Sequence, residues 1–237
     1  MISIANRSKI KSQATFSNII AVGGFITLLL GVVIPYIKPE YAEITFGFII
    51  VGAVLSIAGV YMANRWVRLP RPEQSLDEAL KKFPDSYRLY HYSGLLSQHI
   101  LLSPYGITLF HTINWEGVFK YKNKRWKETI SFGRAIRYPL EQHLGDPTKI
   151  SIKAEQEMRN ILEKSLGGKL EIDIKSMIVF LHNKVRLDIE NSVIPVYKID
   201  ILKKQIISKG TRMPEEIYNQ IKSVLDSYYS PQMEQKA

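Results

Sequence analysis

The stretch "HILLSPYGITLFHTIN", His99–Asn114, decides how this chain is read. Ile100–Leu102 and Ile107–Phe110 are apolar runs of the kind that suit a pleated, buried surface. Between them, Ser-Pro-Tyr-Gly supplies a proline that presets φ and a glycine that accepts a positive φ. The segment therefore predicts two strands, 97–103 and 107–113, and so short a connection makes them antiparallel. Upstream, "YRLYHY" (87–92) adds a strand. Downstream, "GVFKYKNKRWKE" (117–128) reads as a hairpin turning at Lys122-Asn123-Lys124.

Helices bracket this sheet. "SLDEALKKF" opens one, with Ser75 and Glu78 spaced as a capping box and Pro84 as its stop. After "GDPTK" a second helix is expected over 149–166, where Ala154, Met158, Ile161, Leu162 and Leu166 form one apolar stripe. Gly167-Gly168 ends it. "DIKSMIVFLH" (173–182) is continuously apolar, as a strand covered on both faces would be. "SVIPVYKID" (192–200) is a further strand that Pro195 places near an edge. A last helix, 214–229, carries Ile217, Ile221, Val224, Leu225 and Tyr228 on one face. The order is thus an antiparallel sheet first, then a helical crossover into a buried strand.

The N-terminal part has a different character. No charged residue occurs between Ser12 and Ile37, nor between Ile44 and Asn64. Each run is long enough to cross a bilayer as a helix, which takes about 20 residues. The expectation is a basic arm (1–16), a transmembrane hairpin (17–64, spans 17–37 and 43–64), a linker (65–74), a main domain (75–210) and a C-terminal amphipathic helix with its tail (211–237). A cleaved signal peptide is the competing reading of the first run, but the run is too long and lacks an Ala-x-Ala-like site. Small residues at four-residue spacing (Gly23, Thr27 and Gly31; Gly52 and Ser56) would let the two helices pack closely. No ionisable residue sits mid-span, which argues against transport or proton relay. Arg7, Lys9 and Lys11 precede the hairpin and Arg65, Arg68 and Arg71 follow it, so the positive-inside rule puts both termini and the main domain in the cytoplasm.

The chain has no cysteine, hence no disulfide framework and no thiolate metal site. Beyond residue 64 it carries 28 Lys and Arg against 20 Asp and Glu, a net +8. A basic domain tethered under an anionic leaflet suits nucleic acid or lipid headgroups as partner.

The element order, together with "QHILLSPYGITLF", "GVFKYKNKRW", the "GDPTK" helix start and the pair "MIVFLH"…"VIPVYKID", resembles the nuclease-related domain family (NERD) over about residues 75–207. That resemblance implies an α/β, restriction-endonuclease-like mixed sheet flanked by helices, here preceded by the transmembrane α-hairpin. It also implies a metal-dependent chemistry: a helix glutamate, a strand aspartate and a Glu/Gln-x-Lys on the next strand, holding Mg²⁺ to activate water. Carried onto this chain, those roles fall on Glu78, Gln98, His111 and Ile113. Only Glu78 matches, and the capping box already accounts for it. Gln98 is neutral, His111 prefers softer metals, and Ile113 cannot polarise water. Glu116 and Lys120, with Asn114 nearby, are a relocated alternative, though "NWEG" interrupts the strand.

The expectation is therefore a catalytically degenerate nuclease-related module with no cofactor, Mg²⁺ entering only if it is an active nuclease after all. His91, His99 and His111 lie on neighbouring strands and could in principle bind Zn²⁺, although packed, hydrogen-bonded core histidines explain them more simply. The remaining functional surface is the hairpin, where Lys120, Lys122, Lys124, Arg125 and Lys127 interleave with Phe119, Tyr121 and Trp126. Cations suit phosphate and aromatics suit base stacking, while a merely solvated charged face is the plain alternative. A membrane-surface or protein-interaction module without nucleic acid is the other functional reading. No feature of the sequence sets the oligomeric state or names a protein partner.

Overall fold

The computed structural model describes residues 1–129, 143–168, 172–206 and 211–229. They divide into two compact units, one built on residues 8–71 and the other on residues 1–7, 72–129 and the described chain from 144 onward.

The first unit is a pair of apolar helices, α1 (Arg7–Ile37) and α2 (Ala42–Trp66), joined by a 3-10 turn at Pro39–Tyr41. Only 11% and 17% of their most hydrophobic windows are buried. Ile19, Val22, Phe46 and Ile50 point outward, each more than half exposed. The helices touch where backbones approach. A Cβ at Gly24 would lie 2.5 Å from the Ser56 nitrogen, and one at Gly52 2.6 Å from the Leu28 nitrogen. The expected stripe is corrected by one position: Gly23 faces open space, and the first helix packs through Gly24 and Gly31. The spacing of small residues is present in the sequence, but two adjacent glycines leave the contacting face undetermined.

The second unit is an α/β sandwich. A six-stranded mixed sheet has the order β1-β2-β3-β4-β7-β9, with β1 (Ile2–Ala5), β2 (Arg88–His91), β3 (His99–Ser103), β4 (Gly106–Ile113), β7 (Ile174–Phe180) and β9 (Val196–Lys198). A three-stranded sheet has the order β6-β5-β8, from β5 (Gly117–Lys122), β6 (Arg125–Thr129) and β8 (Val185–Ile189). Strands β2, β3 and β4 are antiparallel, and β7 returns parallel to β4. The expected "antiparallel, then crossover" order is what the sheet displays.

One face of the large sheet carries Tyr90, Ile100, Leu102, Ile107 and Leu109. It is covered by α4 (Pro147–Leu166) and α6 (Glu215–Ser227) through Ala154, Met158, Leu162, Ile221 and Leu225. The other face carries Leu89, Leu101, Phe110, Met177 and Val179 under α3 (Pro72–Leu80) and α5 (Ile199–Gln205). Strand alternation assigns these faces, and each fully buried aliphatic contributes about 1.5–3 kcal/mol. Helix α4 starts as its sequence requires: Asp146 accepts from the Lys149 N–H at 3.1 Å, Pro147 opens the first turn, and Gly167 closes the helix at φ +76°.

Four elements depart from expectation. Helix α3 begins at Pro72, so Ser75 lies inside it and the Ser75–Glu78 capping box does not form. Proline is favoured in a first turn because its missing N–H has no helical partner there. Residues 2–5, expected within a basic arm, are an edge strand parallel to β2. Strand β8 and helix α5 are additions that the sequence signals do not announce. The expected domain end at 210 and the tail after 229 lie outside the described residues.

Tyr90 and Tyr229 stack with ring centroids 5.5 Å apart, and Tyr90 donates to Asp226 at 2.8 Å. Burial, reinforced for Tyr90 by the Asp226 carboxylate, pushes both phenols far above their usual value of 10.0. Unfolded, they lose protons near pH 10. Folded, they keep them, so the stability this confers is complete below pH 10 and falls as pH climbs above it. Alkaline titration should therefore show the exposed tyrosines ionising first. Tyr90 and Tyr229 should follow in a steep step coincident with loss of near-ultraviolet circular dichroism. Ionisation of all tyrosines with the fold intact would contradict this.

Candidate functional site

The positions implied for metal chemistry do not come together. Glu78 is exposed on α3 and pairs with Lys81. Along β4, His111 and Ile113 alternate with Phe110, which places them toward the face covered by α4. Gln98 precedes β3, and its carbonyl accepts the Tyr92 N–H at 2.6 Å. Glu116 and Lys120 are not on one strand either, because β4 ends at Ile113 and β5 begins at Gly117.

The carboxylates that α3 turns inward are different ones. Glu73 and Asp77 are four residues apart and share a helix face. Glu73 is 4% exposed and accepts from the Tyr92 hydroxyl at 2.9 Å. Asp77 lies 3.1 Å from Nε2 of His91, whose Nδ1 is 2.7 Å from Nδ1 of His99. Both imidazoles are fully buried, directly opposite each other across β2 and β3. Tyr92, just past β2, has φ +63°, a left-handed conformation that is unusual for a bulky residue.

Because a carboxylate accepts, His91 Nε2–H donates to Asp77. In the neutral pair His91 Nδ1 then accepts from His99 Nδ1–H. The result is a hydrogen-bonded line from a half-exposed carboxylate through two buried rings, tying α3 to β2 and β3. His111 lies on the opposite face, so the three histidines do not converge. The sequence offers one signal for this arrangement: two acids at helical spacing directly after Pro72.

The donor set at the implied nuclease positions does not fit a hard divalent cation. An amide, an imidazole and an alkyl chain supply no anionic oxygen, and Glu78 faces away. Among the described residues, no group of three or more His, Asp and Glu is arranged to hold a metal ion.

The basic hairpin forms as expected. Asn123 and Lys124 take φ +51° and +59°, as a tight two-residue turn between twisted strands demands. Alternation then separates its two kinds of side chain. Phe119 and Tyr121 are buried, and Trp126 stacks on Tyr121 and donates to Thr148 at 2.8 Å. The rings lie on the inner face of the hairpin, with Trp126 half-buried, and the cations face out, an arrangement closer to a solvated charged face than to exposed base-stacking aromatics.

The cations are themselves of two kinds. Lys120 lies 3.8 Å from Asp188 and Lys122 3.1 Å from Glu190, both acids belonging to the β8 segment. Lys124, Arg125 and Lys127, at the turn and on the edge strand β6, are exposed and have no ion pair among the described residues. Charge on an edge strand also guards it against pairing with another sheet.

With this geometry in place, the comparison with known families is specific. Residues 71–181 match the model of the nuclease-related domain, NERD. This segment of the chain is a nuclease-related domain. The match runs from just before α3 through β7, so it contains both inward-facing carboxylates, the histidine pair, the SPYG hairpin and the basic hairpin. Comparisons with curated proteins and with solved structures return no match.

Proposed function

We propose that this protein is anchored in a membrane by the α1–α2 hairpin and presents its NERD domain to the cytoplasm. There the domain binds phosphate-bearing polymers, nucleic acid foremost, without hydrolysing them. The observation that carries the binding reading is the outward row of cations on a domain of nuclease ancestry. The lack of anionic oxygens at Gln98, His111 and Ile113 supports loss of hydrolysis.

Two features support the anchoring. The helices keep their apolar side chains on the outside, whereas a core helix of a soluble protein is mostly buried. The segments flanking the hairpin also return to one sheet, since β1 and β2 are neighbouring parallel strands. If the helices cross a bilayer, both of their outer ends must therefore lie on the same side. The basic flanks make that side the cytoplasm.

The test uses the full chain in detergent, because β1 precedes the hairpin and a truncated protein beginning at residue 72 would lack that edge strand. Fluorescence anisotropy with labelled DNA and RNA should show binding that weakens as salt rises. Incubation with Mg²⁺ or Mn²⁺ should leave plasmid intact. No binding at low salt would overturn the nucleic-acid reading in favour of a protein or lipid-surface module. Cleavage abolished by Glu73→Gln would restore the active nuclease.

A further inference from the structure

We infer that the basic edge of the three-stranded sheet binds the backbone of double-stranded nucleic acid and makes no use of the bases. This rests on the binding function proposed above and specifies the ligand's form. Single strands gain affinity when bases stack on exposed aromatics, about 1–3 kcal/mol per base. This face turns its rings inward: Phe119 is 0% exposed, Tyr121 is 3% exposed, and the half-buried Trp126 packs on Tyr121 and donates to Thr148. What it offers is charge, and duplex carries phosphate at about twice the axial density of one strand.

The charge is also placed asymmetrically. On the β8 side, Asp188 and Glu190 offset Lys120 and Lys122. On the β6 side, Lys124, Arg125 and Lys127 stand unopposed by any described acid. Arg125 and Lys127 alternate with Trp126, so both project from the outer face, roughly 6.8 Å apart along the strand. The ligand's phosphates therefore run along the β6 edge and contact three cations. Neutralising three phosphates gives a slope of about −0.9 × 3, near −3, in log affinity against log salt.

The experiment measures affinity of the full chain in detergent for a labelled duplex and for its single strand of equal length, over a salt series. Duplex should bind at least about tenfold more tightly than single strand, with a slope near −3. The double variant Arg125→Glu, Lys127→Glu should cost at least tenfold and flatten the slope to about −1. It keeps the edge strand charged, so its guard against sheet pairing survives. Trp126→Phe, which keeps an inward ring, should leave affinity unchanged. Single strand bound as tightly as duplex, a loss on Trp126→Phe, or an unaltered slope in the charge-reversed variant would each overturn the inference while the broader binding function stands. Failure of both ligands at low salt would remove the two together.

Discussion

Gly106→Ala should destabilise the NERD domain by about 4 kcal/mol, the sum of backbone strain and a clash with fixed backbone. Gly106 closes the SPYG turn with φ +143°, a conformation that L side chains rarely adopt. An added Cβ would press on the carbonyl oxygen of Asp173 and come within 3.1 Å of the Asp173 Cβ. That oxygen cannot move aside, because it accepts the Ile107 N–H at 2.9 Å and so fixes the start of β4 against the entry to β7. Gly94→Ala is the matched control: it too has a positive φ, +96°, but nothing lies within 4 Å of an added Cβ. It should cost only the strain, about 1–2 kcal/mol. Thermal unfolding of the full chain should show the Gly106 variant melting roughly 10 °C lower, with a much smaller shift for Gly94. Equal losses at the two sites would mean that the contact with Asp173 is unimportant.

The same hairpin explains what the sequence makes legible. Its signals are local: alternating apolar runs, a turn with one residue type per required dihedral angle, a proline-and-aspartate helix start, a glycine stop. Each is decided within a few residues, and each element it announces is present. The elements that escape depend on distant partners. Residues 2–5, Ile-Ser-Ile-Ala, alternate but are too short to mark themselves as a strand, and their pairing partner β2 lies more than eighty residues away. Strand β8 reads as a charged, alternating segment whose acids make sense only beside the β5 lysines. The site suffers most. Ser75 and Glu78 have the spacing of a cap, yet Pro72 sets the helix start three residues earlier. That shift turns Glu78 to solvent and Glu73 and Asp77 toward the sheet. The hairpin's cations are legible one by one. That its aromatics face inward follows from strand alternation, a rule that needs only to be applied there.

The buried histidines provide the second large effect. His91→Leu and His99→Leu should each cost about 2–3 kcal/mol, because each leaves the other ring's Nδ1 without its 2.7 Å partner in a site closed to water. The double variant should cost less than the two losses added together, by about 1–2 kcal/mol. Once both rings are gone, two apolar side chains of similar bulk meet between Leu89 and Leu101 on one side and α3 on the other. Asp77 then loses its imidazole partner, but at 37% exposed it recovers water. This pattern belongs to a polar pair that joins β2, β3 and α3 and specifies their register. Denaturant unfolding of the four proteins, with the slope of the transition checked for constancy, measures it. If the losses simply add, the two rings act separately and the line from Asp77 inward is not one unit. In that case imidazole at these positions would serve something other than the architecture, and the inward face of α3, with Glu73 beside it, would again be the place to look for chemistry.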